Sequence, residues 1–392
     1  MAASTSRRFG STPVRRRMLI FATPIAAVLA MLFPAARSAA GKTTLATVRR
    51  GLEGLVAAPG GPVGAIATFS RGGATSVVRV GRAELSRPGA PSATDHMRIA
   101  SIAKAFSGAV TLHLVAQGRL CLNDTIGQRL PGMPATWSRV TVREMLNHTS
   151  GLPDYTTSKG FAKQATEDPR GYVPPSRIID WVRKDRLVFR PGSRYAYSNT
   201  DNIVVGLIAQ RVTGQPYGRL LSRLVFGPAR LTQTSFPTHR ISLPTPFIHG
   251  YSVGPGRSPE DVTTLLSPSG AWASGAIVST PLDLGAFLRA DLAGRFFGLA
   301  QRRQQMRFIP GSSSPAGPGT NSAGLALFRY RTRCGTVYGH TGNFPGYVQW
   351  AAATANGRRS VTTSLNIAAP TGALLAALRA VQTSAVCALL SR

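Results

Sequence analysis

The sequence contains few lysines and few acidic residues, and these shortages narrow its interpretation. Only five of the 46 basic residues are lysines, and 15 acidic residues oppose them, so the chain carries a formal net charge of +31. A charge of this size often marks a nucleic-acid-binding protein. Here the arginines are scattered, aromatic residues make up only 7% of the chain, and no nucleic-acid-binding motif is present. We therefore expect no nucleic-acid partner, and an arginine bias shared by a whole proteome would explain the charge.

Cysteine is also scarce, with three residues in 392: Cys121, Cys334 and Cys387. None belongs to a Cys-x-x-Cys motif, and no pair of histidines has the spacing of metal ligands. The sequence therefore predicts neither a metal site nor a bound cofactor.

Only one run is long and apolar enough to be considered as a membrane span, and it lies near the N-terminus. Three arginines at 15–17 precede an apolar stretch at 18–33, and small residues follow at 35–40. This order is typical of a secretory signal peptide. Because the stretch contains Pro24 and is short for a span, we predict a cleaved signal peptide at 1–40 rather than an uncleaved anchor. We expect a secreted protein with no membrane contact after cleavage, which its charge could retain on an anionic cell wall.

Three short motifs follow one another along the chain: Ser101-Ile102-Ala103-Lys104, Tyr197-Ser198-Asn199 and His340-Thr341-Gly342. Each motif alone is weak. However, Lys104 is the only lysine with a serine three residues before it, and Tyr197 is the only tyrosine followed two residues later by asparagine. A nucleophile, a proton-transferring pair and a glycine-containing strand in this order indicate acyl transfer through a serine.

The spacing of Ser101 and Lys104 suits a nucleophile and its base. A serine hydroxyl needs a base within hydrogen-bond reach, and residues three apart on a helix are neighbours. Apolar residues recur at helical spacing from Ala103 to Val115, so we predict that Ser101 begins a helix, where its N–H is free to stabilise negative charge. Desolvation could neutralise Lys104, and a nearby ammonium could ionise Tyr197. The sequence leaves open which of the two is the base.

The third motif is expected on a strand, because another strand pattern follows it at 347–353. Its glycines would let a substrate backbone approach closely, and an edge strand can bind an extended peptide through main-chain hydrogen bonds. The N–H of Asn343 would then complete an oxyanion hole with that of Ser101. A plain hairpin with its turn at 343–346 explains the same residues equally well.

Longer segments around the motifs resemble the serine penicillin-recognising hydrolases. They are most similar to the secreted D-alanyl-D-alanine carboxypeptidases of actinomycete type, in the class C β-lactamase superfamily. The resemblance covers about Val63 to Cys387, and its most specific segments are 146–152, 191–200 and 339–347. It implies these roles: Ser101 as nucleophile, Lys104 and Tyr197 as the acid/base pair, Asn199 as a ligand of the substrate amide, and His340, Thr341, Gly342 and Asn343 as the substrate-docking strand.

Variation within that superfamily bears on the activity. A His-Thr-Gly third motif is usual in its carboxypeptidases and Lys-Thr-Gly in its β-lactamases, so the resemblance favours a peptidase. Close relatives carry a small hydroxyl residue where this chain has Asn343, and they grip the substrate carboxylate with an arginine on the preceding strand. The candidates here are Arg329, Arg331 and Arg333, although a solvated strand face is the better explanation for at least two of them.

The resemblance also implies a disulfide between Cys334 and Cys387, because close relatives carry cysteines at both places. This bond would close a loop of 53 residues, for which the chain-entropy model gives roughly 4 kcal/mol. It would fit an exported protein. Cys121 would then be free and buried beside Leu120 and Leu122.

Strand patterns occur at both ends of the chain and helix patterns between them. We predict an α/β (α+β) fold of the β-lactamase type, with an antiparallel sheet flanked by helices. The sandwich domain would comprise 41–121 and 267–392, and an inserted all-helical domain 122–266, with Ser101 at their junction. The Gly-, Ser- and Pro-rich segment 311–322 is predicted to be a mobile loop.

Three functions fit these residues. The first is a D-alanyl-D-alanine carboxypeptidase or transpeptidase acting on peptidoglycan stem peptides, with β-lactam antibiotics as acylating inhibitors. The second is an esterase or β-lactamase on the same fold, because acyl-enzyme chemistry transfers among these substrates. The third is a non-catalytic, penicillin-binding-like protein that holds wall fragments, and the intact Ser101, Lys104 and Tyr197 argue against it.

Overall fold

Eight strands form one antiparallel sheet in the computed structural model, which describes residues 44–254, 256–368 and 370–391. The predicted signal peptide lies outside the described residues. Four further strands form two separate pairs, β3 with β6 and β4 with β5. In chain order, the strands of the described residues are β1 (Gly64–Arg71), β2 (Ala74–Gly81), β3 (Met97–Arg98), β4 (Tyr251–Ser252), β5 (Glu260–Asp261), β6 (Val278–Ser279), β7 (Ile309–Pro310), β8 (Thr320–Ala323), β9 (Phe328–Thr332), β10 (Gly335–Phe344), β11 (Tyr347–Ala353) and β12 (Arg359–Leu365). The order in the large sheet is β2-β1-β12-β11-β10-β9-β8-β7. The two strands from the first part of the chain therefore join the six from its last part where β1 pairs with β12.

Helices cover both faces of this sheet and fill the sequence between its two halves. They are α1 (Leu45–Ala57), α2 (Ala103–Ala116), α3 (Ile126–Arg129), α4 (Val142–Leu146), α5 (Lys159–Glu167), α6 (Pro175–Asp180), α7 (Thr200–Thr213), α8 (Tyr217–Leu221), α9 (Trp272–Gly275), α10 (Pro281–Leu292), α11 (Leu299–Gln305) and α12 (Gly372–Leu390). The antiparallel sheet flanked by helices confirms the predicted fold class.

The sheet separates two apolar cores because successive residues of a strand point to opposite faces. In β1, Ala65, Ala67 and Phe69 pack in the core shared with α1 and α12, whereas Ile66 belongs to the core on the other face. Helix α10 packs on that second face, and α2 lies within the same core. Helix α2 packs against α7, α8 and α9, and the turn Ala100–Ile102 before it packs against β10 and β11, so the candidate nucleophile lies where the sheet meets the start of α2.

Helix α12 corrects one expectation, because by length and composition it could also cross a membrane, with a mean hydropathy of 1.7. In the structure it packs against α1 and the sheet, and its Leu378, Ala385 and Leu389 are buried in the core. A core helix meets the same criteria of length and composition. The structure contains the Cys334–Cys387 disulfide, which joins α12 to the turn before β10. Cys121 is free but exposed, so its predicted burial was wrong.

The segment between the two halves of the sheet is mainly helical, although the short ladder of β4 and β5 lies within it. The boundaries predicted for a separate helical domain stay a prediction. The segment 311–322 is a loop as far as residue 319, and its mobility stays a prediction. Part of it forms β8, and Arg379 donates hydrogen bonds to the carbonyls of Gly317 and Gly319. These long-range contacts could not be seen in local composition.

Candidate active site

Ser101 lies in a tight 3₁₀ turn, Ala100–Ile102, that leads directly into α2. Ala100 has a φ of 51°, a left-handed conformation that is costly for a residue with a side chain. The Ser101 N–H makes no backbone hydrogen bond within the described part of the chain. The turn therefore holds Ser101 at the helix start, as the sequence predicted, with its N–H available to a ligand.

Lys104 is completely buried, one helical turn after Ser101. Its Nζ donates to Ser101 Oγ at 3.0 Å, to Asn199 Oδ1 at 2.8 Å and to the Ser274 carbonyl at 3.0 Å. Burial lowers the pKa of Lys104 to about 7, although the nearby Asp154 carboxylate opposes the shift. A substantial fraction of this amine is therefore unprotonated near neutral pH and can accept the Ser101 proton.

Tyr197 lies beside the same pair, with Lys104 Nζ 5.1 Å from the centre of its ring. Burial raises the pKa of Tyr197 well above its usual value, and Ser101 opposes the rise. The phenol oxygen has no hydrogen-bond partner among the described residues. The phenol thus keeps its proton, so the ionised tyrosine that the sequence left open is not favoured here.

A buried pair, His148 and Asp201, lies next to Tyr197. The ring of His148 packs 4.4 Å from that of Tyr197, and His148 Nδ1 lies 2.8 Å from Asp201 Oδ2. Ser150 donates to the other oxygen of Asp201. Burial lowers the pKa of His148 to about 3 and raises the pKa of Asp201, so both shifts favour an uncharged pair.

Asn199 connects Lys104 to a further carboxylate. While its Oδ1 accepts from Lys104, its Nδ2 donates to Asp154 Oδ1 at 3.2 Å and Oδ2 at 2.9 Å. Asp154 also accepts from the N–H and Oγ1 of Thr156, both at 3.0 Å. Asn199 therefore has a positioning role in addition to the substrate contact predicted for it.

The strand β10 runs past Ser101 and presents its backbone, which is the part of the motif that the sequence predicted for docking. His340 and Thr341 are buried, and Thr341 Oγ1 donates to the Pro315 carbonyl, so neither side chain faces substrate. The space beside Gly342 is filled by the protein itself, because a Cβ there would lie 2.2 Å from the Ile99 carbonyl oxygen. Asn343 is exposed and lines the cleft. Only the backbone of this motif and Asn343 can serve docking.

This strand nevertheless has a free edge. Strand β10 pairs with β11 over 338–344 but with β9 only over 335–339. From His340 to Phe344 one side of the strand therefore makes no ladder with β9. An extended substrate backbone could pair there.

A cleft of about 430 Å³ opens beside Ser101, and its lining includes a polar and an apolar group of residues, which we call its polar end and its apolar end. At the polar end, Ser101, Tyr197, Asn199, Asp154 and Asn343 line the cleft. The apolar end is formed by an aromatic cluster, which we define as Tyr155, Phe161 and Trp181, whose ring centres lie 5.8 to 6.2 Å apart.

The arginines proposed to bind a substrate carboxylate lie elsewhere. Among the described residues that line the cleft there is no arginine, lysine or histidine. Arg329 packs over the Phe308 ring and donates to Ser322, and Arg331 and Arg333 are exposed. Arg331 and Arg333 are therefore solvated, which is the alternative explanation that the sequence offered for two of the three arginines.

Sequence reasoning missed the residues that complete the site. Asp154 comes two residues after the segment 146–152, and Asp201 comes two residues after Asn199, so adjacency to the motifs was the available signal. No sequence signal marked the aromatic cluster or the Ser274 carbonyl, because distant segments bring them to Ser101.

Fold and site together define a serine hydrolase of the β-lactamase and penicillin-binding protein superfamily. The family model "Beta-lactamase" matches residues 49–384, and the chain belongs to this family.

Individual relatives have several activities in their names. Penicillin-binding protein 4* of Bacillus subtilis (strain 168) is 26% identical over 68% of this chain and 60% of its own length. A further curated relative, from Staphylococcus aureus (strain COL), is 32% identical over 37% of this chain. The match spans only 29% of the length of that relative.

Two solved structures cover most of the chain. A D-stereospecific amidohydrolase from Streptomyces sp. is 30% identical, covers 82% of this chain and 94% of its own, and has a TM-score of 0.74. The D-amino acid amidase from Ochrobactrum anthropi SV3, in complex with L-phenylalanine amide, is 26% identical over 87% of this chain and 96% of its own, with a TM-score of 0.76.

Proposed function

We propose that the protein hydrolyses an amide bond on the carboxyl side of a D-amino acid residue, through an acyl-enzyme on Ser101. The observation that carries this proposal is the 3.0 Å hydrogen bond between Ser101 Oγ and a buried lysine whose pKa is lowered to about 7. The named activities of the two structural relatives support the choice of an amide of a D-amino acid.

In this mechanism Lys104 takes the Ser101 proton as Oγ attacks the substrate carbonyl carbon. The N–H groups of Ser101 and Asn343 stabilise the oxyanion of the tetrahedral intermediate. As the carbon–nitrogen bond breaks, the leaving amine takes a proton from the Lys104–Tyr197 pair, and an ester on Ser101 remains. Lys104 then activates water, which hydrolyses that ester and regenerates the serine.

A D-alanyl-D-alanine carboxypeptidase acting on peptidoglycan peptides is the second candidate. The His-Thr-Gly form of the third motif favours it. The lack of a cation among the described residues that line the cleft disfavours it, because such a substrate ends in a carboxylate. Labelled penicillin separates the candidates: a slow-turnover adduct on Ser101 supports the carboxypeptidase, fast turnover supports a β-lactamase, and no adduct favours the amidase.

The nucleophile is tested with a fluorophosphonate probe and peptide mapping. We expect label on Ser101, its loss in Ser101→Ala and its retention in Ser86→Ala, which removes an exposed serine. Hydrolysis of D-phenylalanine amide should exceed that of the L-isomer and disappear in Ser101→Ala. Label on another residue, or near-parent activity of Ser101→Ala, would contradict the proposal.

We also propose that the protein is exported and retained at the cell wall. The order of charged, apolar and small residues at 15–40 supports it, as does a disulfide, which persists in oxidising compartments. N-terminal sequencing of protein from culture medium and wall fractions tests it, and the expected start lies near residues 38–41.

A further inference from the structure

The charge of the cleft lining has the opposite sign to the net charge of the chain. The chain has 46 basic and 15 acidic residues, yet Asp154 is the only Asp, Glu, Lys, Arg or His among the described residues that line the cleft. The two tyrosines in the lining, Tyr155 and Tyr197, stay protonated because burial raises the pKa of each. The lining therefore offers substrate a single carboxylate, Asp154, while Lys104 lies buried next to Ser101 with its pKa lowered to about 7.

The Asp154 carboxylate is held in one orientation and keeps room for a ligand. It caps the short 3₁₀ turn Tyr155–Thr157, and its Oδ1 accepts from Asn199 and from both donors of Thr156. Within the described part of the chain, its Oδ2 accepts only from Asn199 Nδ2, at 2.9 Å. A carboxylate oxygen can accept two hydrogen bonds, so Oδ2 can take another donor from the cleft.

The position of Asp154 next to the nucleophile limits what that donor can be. Ser101, Lys104, Asn199 and Asp154 form one continuous chain of hydrogen bonds. Ser101 and Asp154 also line the same cleft, so a cation that binds Asp154 shares that cleft with the carbonyl that Ser101 attacks. An α-ammonium group meets this requirement, since it is attached to the carbon next to that carbonyl.

On the basis of the proposed function, we infer that Asp154 binds the free α-ammonium group of the substrate's acyl half, while the aromatic cluster receives its apolar side chain. The substrate class is then amides of D-amino acids with an unblocked amino group. Substrates with a blocked amino group lose the ion pair, and substrates with a carboxylate in the cleft are repelled by Asp154.

Binding to the Ser101→Ala protein tests this inference without depending on turnover. Calorimetry would compare D-phenylalanine amide, its N-acetyl derivative and its N-succinyl derivative. We expect the free amine to bind at least tenfold more tightly than the acetylated ligand, and the anionic succinyl ligand to bind most weakly. Above about pH 8 the preference should vanish, because an α-amino group loses its proton there.

Variants separate recognition from positioning. Asp154→Asn should remove the preference for the free amine, and Asp154→Glu should restore part of it. The matched control is Asp168→Asn, which removes an exposed carboxylate outside the lining. It should leave the preference within twofold of the parent.

Two results would overturn the inference: equal binding of the free and acetylated amides by the parent, or equal loss of both in Asp154→Asn. The second result would mean that Asp154 acts only through Asn199. If Asp154→Asn does not fold, the pH dependence in the parent decides. Failure of the proposed function appears separately, as absent labelling of Ser101 or absent amide hydrolysis.

Discussion

The two ends of the cleft are built in different ways. At the polar end, hydrogen bonds of 2.8 to 3.2 Å fix Ser101, Lys104, Asn199 and Asp154 relative to one another. At the apolar end, Tyr155, Phe161 and Trp181 contact one another as rings, and Phe161 and Trp181 are only half-buried. The polar end is suited to chemistry that tolerates little displacement, and the apolar end to a side chain of variable shape.

This difference predicts that damage at the polar end lowers all turnover, whereas damage at the apolar end changes which substrate is preferred. A directional hydrogen bond loses its function with a small displacement. Apolar contact depends on buried area and has no such requirement.

The largest effect is expected when both proton-transferring residues are removed. Lys104→Ala and Tyr197→Phe should each lower the acylation rate about 10²–10⁴-fold. The double variant should lose far less than the product of the two, because groups that act as one unit are not additive. Stopped-flow acylation by an activated ester measures this. Lys184→Ala and Tyr172→Phe, at exposed positions, serve as controls, and multiplicative losses would show that the residues act independently.

The next effect concerns pH. If unprotonated Lys104 is the base, kcat/KM for a neutral ester should fall about tenfold per pH unit below the Lys104 pKa of about 7, and level off above it. His148 and His340 should not contribute between pH 5 and 9, because burial lowers the pKa of each to about 3. A neutral ester is used so that the substrate does not titrate, and a flat profile would exclude Lys104 as the base.

A smaller and selective effect is expected at the apolar end. Phe161→Ala should lower kcat/KM for D-phenylalanine amide by about tenfold, since lost apolar contact in a pocket costs about 1–3 kcal/mol. D-alanine amide, which cannot reach the aromatic cluster, should lose little. Phe308→Ala is the matched control, as Phe308 is half-buried but outside the lining. An equal loss for both substrates would mean that Phe161 acts on the chemistry.

The smallest effect on activity is expected from the disulfide, which belongs to neither end. Replacing Cys334 and Cys387 together by serine should lower the free energy of unfolding by roughly 4 kcal/mol in the chain-entropy model. At moderate temperature the activity should change little. Thermal melting and peptide mapping under non-reducing conditions measure this, with Cys121→Ser as control. Two free thiols at 334 and 387, or a bond to Cys121, would disprove the pairing.

Much of the fold was predictable because its elements carry local patterns. Strand β11, for example, begins and ends where the sequence predicted, at 347–353. The long-range contacts of the segment 311–322 could not be predicted, because its partners, Arg379 and Tyr330, are distant in sequence. Whether the His340 side chain points into the core or into the cleft could not be predicted from the sequence, because a strand covered on both faces has no local sign of which side chain reaches a cleft.

The sequence by itself determined which residues carry the proposed chemistry, since Ser101 and Lys104 are held at helical spacing by the chain itself. It also determined the antiparallel, helix-flanked architecture through its periodicities. Only the tertiary structure decided the protonation of Lys104 and Tyr197, because desolvation depends on everything packed around a group. Tertiary packing likewise brought Asp154 and the aromatic cluster into the cleft beside Ser101 and left the arginines outside it. The cleft lining therefore carries a charge of opposite sign to that of the whole chain.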